Sequence, residues 1–517
     1  MKKLWMLLSV LLLIVTGCAT TTDGSNTFTV GMECGYAPYN WTQPNKTDSA
    51  VAIDGGQYCD GYDVQIAKRV AESMGKELVI KKITWEGLIL SLQSGQIDAV
   101  IAGMSPTDER KQEIAFSNVY FMDDTTAFGV VVKRDGPFKD VKTIHDMSNA
   151  LVSAQIGTFH VKLLSQLTDV RKVENLKDFP TMTVALQSGE LDGFVADNGT
   201  GQMINASNPD LLYIQLDGEQ GFTVTEEMAG VAIGINKNNT ELLDEVNAAL
   251  ATIPREVQQE LMDTAINSGT FSTGNFFDQV MTILANNYQS FIRGTLTTLG
   301  ISLVATLLGF LIALFVAITR GTKVTNVIAN IYITIFRGTP MMVQAMILYY
   351  GVSMLIPGFR WSNLPFGNIL AGIIIVSINT GSYMSETMRS GIQAIDPGQF
   401  EAAKSLGFTR WQTMKNIILP QAIKNAIPAL GNELIVNVKD TSVLNIIAVT
   451  ELFFVSNGIA STTYQIFQTF TITSAIYLTL TTILTFILRF VELRLDKTKK
   501  VASSYPTSVT DFKSNNI

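Results

Sequence analysis

Residues 61–110 read GYDVQIAKRVAESMGKELVIKKITWEGLILSLQSGQIDAVIAGMSPTDER, and the spacing of their apolar positions decides the fold of the first half of the chain. Residues 64–74 repeat at helical spacing, 78–83 suit a strand, 85–94 return to helical spacing, and 99–102 form a short apolar run ahead of Gly103. Working outward, residues 28–32, 128–132, 151–155 and 193–196 are expected strands, and 160–167 and 182–187 expected helices. This alternation predicts two small α/β lobes. In open sheets of this kind ligands gather beyond the carboxyl ends of the strands.

Three such junctions carry complementary chemistry: Gly103 to Arg110, Gln155-Ile156-Gly157-Thr158, and Ala196-Asp197-Asn198. Arg110, Ser105 and the Gly157-Thr158 turn offer the guanidinium, hydroxyls and backbone N–H groups that a carboxylate wants. Asp197 offers the carboxylate that an ammonium wants. The set suits a zwitterion, although singly Arg110 also reads as a solvated charge and Asp197 as a helix cap.

The composition sets the frame. The chain has 517 residues, 16% of them charged, and a mean hydropathy of +0.25, too apolar for a wholly soluble protein. The surplus lies in long uncharged runs within 294–492, which marks the main domain boundary. A net charge of -8 argues against nucleic acid as a partner. With two histidines, a His-based metal or catalytic site has almost no raw material.

Residues 1–17 read as an export signal, with Lys2 and Lys3 ahead of an apolar run and Val15-Thr16-Gly17-Cys18 resembling a lipobox, so that Cys18 is the expected lipid attachment point. An uncleaved anchor is the alternative. Cys34 and Cys59 then remain, both in the exported region, where an oxidising compartment permits a disulfide between them. Two unpaired buried cysteines are the other option.

Along residues 28–268 the order of segments resembles the amino-acid-binding proteins of bacterial ABC importers. The stretches that carry the resemblance are GYAPYNW, GYDVQIAKRVAESMGKEL, WEGLILSLQSGQIDAVIAGMSPTDERKQEIAFSNVYF, AQIGTF and VALQSGELDGFVAD. The resemblance implies that Arg110, Ser105 and Thr158 hold the ligand carboxylate and Asp197 its amino group. It implies that Glu33, Tyr36, Tyr39, Trp85 and Gln155 set side-chain selectivity, with Gly103 offering backbone. Aromatic faces beside a carboxylate suit cationic or amide groups, so arginine, lysine, histidine and glutamine are the favoured ligands. Lobe closure is expected to hinge near 121–128 and 218–228.

Residues 269–290 are expected to form a linker and amphipathic helix, followed by a transmembrane domain over 291–493 and a cytoplasmic tail over 494–517. Spans are expected within 294–319, 324–357 (interrupted by Arg337), 361–385, 426–449 and 470–491. Lys and Arg then cluster on the cytoplasmic side, with Arg360 as the main exception, and the first half of the chain lies outside the cell. Between the third and fourth spans, residues 401–420 read EAAKSLGFTRWQTMKNIILP. This resembles the coupling loop of ABC importer permeases, which implies that Glu401, Ala402, Ala403 and Gly407 face a separate ATPase. Gly407 is expected to break the first helix of the loop and Pro420 to limit the second.

Glu433 and Asp440 fall inside the fourth span, where charge is costly. They are expected either to line the pathway or to pair with Lys439. No G-x-x-x-x-G-K-[ST] loop occurs, so no cofactor is expected in this chain, and ATP and Mg²⁺ are expected on the partner. The fold class expected is an α/β two-lobed periplasmic-binding-protein-like (type II) domain fused to an all-α transmembrane domain, the type I ABC importer permease fold of five helices. Two copies are expected to form the pathway in the bacterial cytoplasmic membrane, in contact with lipid, with no catalysis by the chain itself. An amino-acid-gated channel or a membrane sensor would share the bilobed domain. A channel needs a selectivity loop such as T-V-G-Y-G, which the sequence lacks, and a sensor needs an output domain larger than the short polar tail.

Overall fold

The computed structural model describes residues 26–503 apart from 55, 123–127, 217–219, 226–228, 268–274, 321–322 and 357–358. The export signal and Cys18, most of the first expected hinge crossing, part of the second, and the end of the tail lie outside the described residues. The chain divides into two compact units, the first holding Met1–Thr297, Met346–Ala371 and Leu444–Thr473, the second Thr298–Ala345, Gly372–Val443 and Ser474–Ile517.

The first unit contains both expected lobes. One five-stranded sheet has the order β6-β1-β7-β14-β8, from β1 (Thr27–Met32), β6 (Glu77–Lys82), β7 (Ala99–Val100), β8 (Ala115–Met122) and β14 (Gly230–Ile235). β1 runs parallel to β6 and β7, while β14 returns antiparallel between β7 and β8. Burial on both faces explains the continuous apolar run of β14. The helix Tyr62–Ser73 turns Tyr62, Val64, Ile66, Ala67, Val70 and Ala71 inward, the spacing that betrayed it in the sequence.

The second sheet has the order β11-β10-β12-β9-β13, from β9 (Phe128–Lys133), β10 (Leu151–Ser153), β11 (Arg171–Lys172), β12 (Gly193–Asp197) and β13 (Leu211–Gln215). Its helix Phe179–Ser188 starts at Asp178, whose side chain accepts from the Thr181 N–H, and stops at Gly189 with φ 86°. Cap, early proline and left-handed glycine each sit where helix ends require them.

A third sheet, β2-β3-β5-β4, occupies the segment that the sequence presents as turns and polar residues: β2 (Gly35–Tyr36), β3 (Asn40–Gln43), β4 (Val51–Ile53) and β5 (Gln57–Asp60). A disulfide joins Cys34 to Cys59, with Cα atoms 5.7 Å apart. It ties the entry of β2 to β5.

Among the described residues three helices are long and apolar enough to cross a membrane, Phe276–Thr319, Gly367–Gln393 and Ile466–Val491, or five if each of two bent pairs is one span. The pair Lys323–Gly338 and Met341–Leu355 bends by 108°, at Thr339-Pro340, where a proline cannot continue the hydrogen-bond ladder. Helix Phe276–Thr319 runs unbroken through residues 290–291, with no proline to separate an amphipathic part from a span.

Pro420 does not limit a helix. The chain continues from Arg410–Thr413 through a π turn at Met414–Ile418 into Leu419–Asp440, the π turn just ahead of the proline being the local irregularity at which a helix can pass it.

Within the second unit Asn437 joins three helices. It accepts from Thr380 Oγ1 at 2.8 Å and donates to Thr306 Oγ1 at 2.8 Å. An added Cβ on Gly309 would lie 3.1 Å from the Gly381 nitrogen, so two of these helices meet backbone to backbone.

Candidate functional site

The strand ends of the two lobes face one cavity, lined by Glu33, Tyr36, Trp85, Gly103, Ser105, Arg110, Gln155, Thr158, Phe159 and His160. Glu33 follows β1, Gly103 and Ser105 follow β7, and Gln155 and Thr158 follow β10, so every sheet-end contribution has the origin that the open-sheet rule predicts. Gly103 has φ 59°, and a Cβ there would lie 2.7 Å from Tyr36 Cε1. Glycine lets the tyrosine ring lie against the backbone.

Arg110, on the short helix Asp108–Lys111, donates from Nη1 to the Ser105 carbonyl at 2.8 Å and from Nη2 to the Gly157 carbonyl of the other lobe at 2.9 Å. Its guanidinium carbon lies 5.1 Å from the centre of the Trp85 ring. Burial lowers Arg110 to about 10, which still leaves a cation at neutral pH. The guanidinium is therefore oriented before any anion arrives.

Asp197 is a helix cap that also reaches across the cleft. Oδ1 accepts from the Thr200 N–H at 2.9 Å, capping Asn198–Ser207, while Oδ2 accepts from the Tyr36 hydroxyl at 2.9 Å. Tyr36 belongs to the first lobe, so this bond crosses the cleft. Tyr39 lies behind Tyr36, their rings stacked at 4.9 Å, and supports that ring rather than lining the cavity. Gln155 donates to the Lys177 carbonyl at 3.2 Å.

His160 and Phe179 were missed as site residues. The His160 ring is buried, 3.9 Å from Asp197 Oδ2, with Nδ1 3.0 Å from Thr158 Oγ1. Burial lowers it to about 4, opposed by Asp197 and reinforced by Arg110, so it is neutral at pH 7. Its position directly after Gly157-Thr158-Phe159 was the available signal. Phe179 stacks on Tyr36 at 5.9 Å from the second lobe.

A later segment also reaches the first lobe. Helix Leu452–Thr463 packs on β2 and β3: Thr462 Oγ1 donates to the Thr42 carbonyl at 3.0 Å, and a Cβ on Gly35 would lie 3.1 Å from Ser461 Cβ. Tyr464 follows with φ 54° and is fully buried in the core cluster of the lobes. Arg360, the exception to the charge rule, pairs with Asp98 at 3.0 Å. Their sequence distance from the lobes hid these contacts.

The expected ATPase-facing residues lie in the second unit. Helix Pro397–Ser405 carries Glu401 and Ala402 exposed and Ala403 buried, and ends before Gly407 at φ 80°. Phe400, Leu406, Phe408 and Trp411 are exposed around the turn. Glu433 and Asp440 lie on Leu419–Asp440 on either side of the buried Asn437, while Lys439 is exposed.

Residues 28–265 match the model of bacterial extracellular solute-binding proteins, family 3, and residues 305–497 that of the binding-protein-dependent transport system inner membrane component. A relative from Rickettsia typhi is 37% identical over 206 residues, 40% of this chain and 92% of its own. The glutamine transport system permease protein GlnP of Escherichia coli K12 is 33% identical over 206 residues with the same coverage of both chains. A solved substrate binding protein of an amino acid ABC transporter is 26% identical, covering 47% of this chain and 100% of that one, with a TM-score of 0.39.

Proposed function

Since the chain belongs to the binding-protein-dependent transport permeases of polar amino acid importers, with a family 3 solute-binding domain fused to the permease, we propose that it binds a polar or cationic L-amino acid outside the cell and conducts it inward in an ATP-driven ABC importer. The observation that carries this reading is the cavity itself. It has an oriented guanidinium at Arg110 and the aromatic rings of Tyr36 and Trp85 in its lining, with the buried Asp197 carboxylate behind Tyr36 and His160.

Arg110, with the Ser105 and Thr158 hydroxyls, holds the α-carboxylate by charge-assisted hydrogen bonds. Asp197 takes the α-ammonium, sharing its Oδ2 with Tyr36. Trp85 and Tyr36 flank the side chain, and Glu33 and Gln155 meet its polar end. Glutamine, arginine, lysine and histidine fit this description. Because Arg110 and Asp197 belong to different lobes, a zwitterion that engages both stabilises closure by its own differential affinity.

The exposed apolar side chains around Gly407 suit a protein partner, and the reading assigns them, with Glu401, Ala402 and Ala403, to the groove of a separate ATPase that binds ATP and Mg²⁺. Two copies of the chain enclose the pathway, where Glu433 and Asp440 give a passing amino acid a transient site. An export signal with lipid on Cys18 would keep the receptor on the outer face. The test is reconstitution of the full chain with its ATPase in proteoliposomes, followed by uptake of radiolabelled glutamine, arginine, lysine and histidine. ATP-dependent uptake of at least one is expected, and binding or uptake of none would refute the proposal.

A further inference from the structure

Lys82, the last residue of β6, is a cation that the amino-acid site does not obviously need. Its register partner in β1 is Met32, so it stands beside the strand that leads into Glu33. Its Nζ donates to Thr42 Oγ1 at 2.9 Å, and Thr42 Oγ1 donates in turn to the carbonyl of Cys34, the residue after Glu33, at 2.6 Å. Opposite, the ammonium rests on helix Leu452–Thr463. It lies 4.9 Å from the centre of the Phe454 ring, and a Cβ on Gly458 would lie 2.0 Å from it. Only glycine leaves this notch open.

Glu33 and Lys82 form an electrostatic pair. Burial pushes each toward its neutral form, and the charge of the other opposes that shift. With both ionised or both neutral the pair carries no net charge, and with Lys82 alone ionised it is positive. The other groups acting on Glu33 are Asp178 and the exposed Glu86, which raise it, and Lys177, which lowers it and is paired with Asp178 at 3.4 Å. A cationic side chain entering the cavity thus meets a Glu33 whose charge is either removed by protonation or offset by Lys82, whereas a carboxamide can hydrogen-bond the Glu33 carboxyl in either form.

We propose that Lys82, seated in the Gly458 notch of the permease helix, is a specificity-determining residue of the amino-acid site, and that it sets the preference for a neutral carboxamide side chain over a cationic one. The inference rests on the amino-acid reading of the cavity and deepens it. It also makes the permease segment part of the receptor's selectivity, since that segment holds the ammonium in place.

The experiment is calorimetric titration of the full chain in nanodiscs with glutamine and with arginine. Lys82→Met is expected to shift the ratio of the two dissociation constants toward arginine by roughly tenfold, the scale of removing one nearby cation at partial burial. Lys82→Arg, which keeps the charge, should keep the wild-type order. A purely structural role would weaken both ligands together and leave the ratio unchanged, which would overturn the proposal. Gly458→Ala displaces the ammonium without removing it and should move the ratio at least about threefold; it also decides the matter if Lys82→Met fails to fold. A shift in Lys82→Met with none in Gly458→Ala would overturn the part given to the permease helix. If the wild-type chain binds no amino acid at all, the functional reading fails first and this inference with it.

Discussion

Arg110→Met is the substitution that tests the site most sharply. The guanidinium is half-buried and held by two carbonyls, Ser105 at 2.8 Å and Gly157 at 2.9 Å. Removing one partner of a desolvated charge pair costs about 2–5 kcal/mol. A loss near 3 kcal/mol corresponds to a dissociation constant raised more than about a hundredfold. Arg110→Lys keeps charge without the planar fork and should recover only part of it.

The Gly157 bond also joins the lobes, so lost affinity alone could reflect poorer closure. The discriminating assay compares an amino acid with its α-carboxamide analogue by calorimetry on the full chain. If Arg110 reads the carboxylate, the wild type strongly prefers the acid and Arg110→Met loses that preference. If both ligands weaken equally, Arg110 is only a clamp and the assigned role is refuted.

Three further outcomes follow from the geometry. Gly103→Ala places a methyl 2.7 Å from the Tyr36 ring at φ 59°, and should destabilise the first lobe by about 1–3 kcal/mol, read as a lower unfolding midpoint and weaker binding. His160 has its folded value lowered from 6.5 to about 4 by burial, so the native state binds fewer protons than the unfolded chain across that window. Stability is then lost as pH falls from about 6.5 toward about 4, by up to about 3 kcal/mol. His160→Gln should flatten this slope in urea unfolding followed by tryptophan fluorescence. Glu401→Lys combined with Gly407→Val, the latter at φ 80° with nothing within 4 Å, should abolish ATP-driven uptake while amino-acid titrations stay unchanged; intact uptake would remove the loop from ATPase coupling.

What could be read from the sequence was what periodicity encodes. The helices Tyr62–Ser73 and Trp85–Gln93, and the strands around them, are announced by one-sided apolar spacing. The small sheet was invisible because its strands are two to four residues long and owe their pairing to partners and a disulfide rather than to pattern. Residues that follow strands, such as Ser105, Arg110 and Thr158, could be nominated from topology. His160 stands just beyond them in the chain, but its burial depends on Phe128, Phe159 and Phe179 closing around it, which spacing does not reveal. Tyr464 was hidden for another reason: its hydroxyl lies against the Ala37 carbonyl, 427 positions away in the chain. Pro420 misled because a proline is read as a stop, whereas here a π turn just before it carries the helix past.

The seat of the first lobe on Leu452–Thr463 has a consequence for kinetics. Lobe and seat belong to one polypeptide, so their encounter is intramolecular, governed by an effective concentration that for short tethers is on the order of millimolar. Hydroxyl contacts such as Thr462 on Thr42 can therefore remain individually weak and still keep the seat occupied. A receptor delivered by diffusion would need far tighter contacts for the same occupancy, and it would then leave slowly after each delivery. Fusion separates occupancy from affinity.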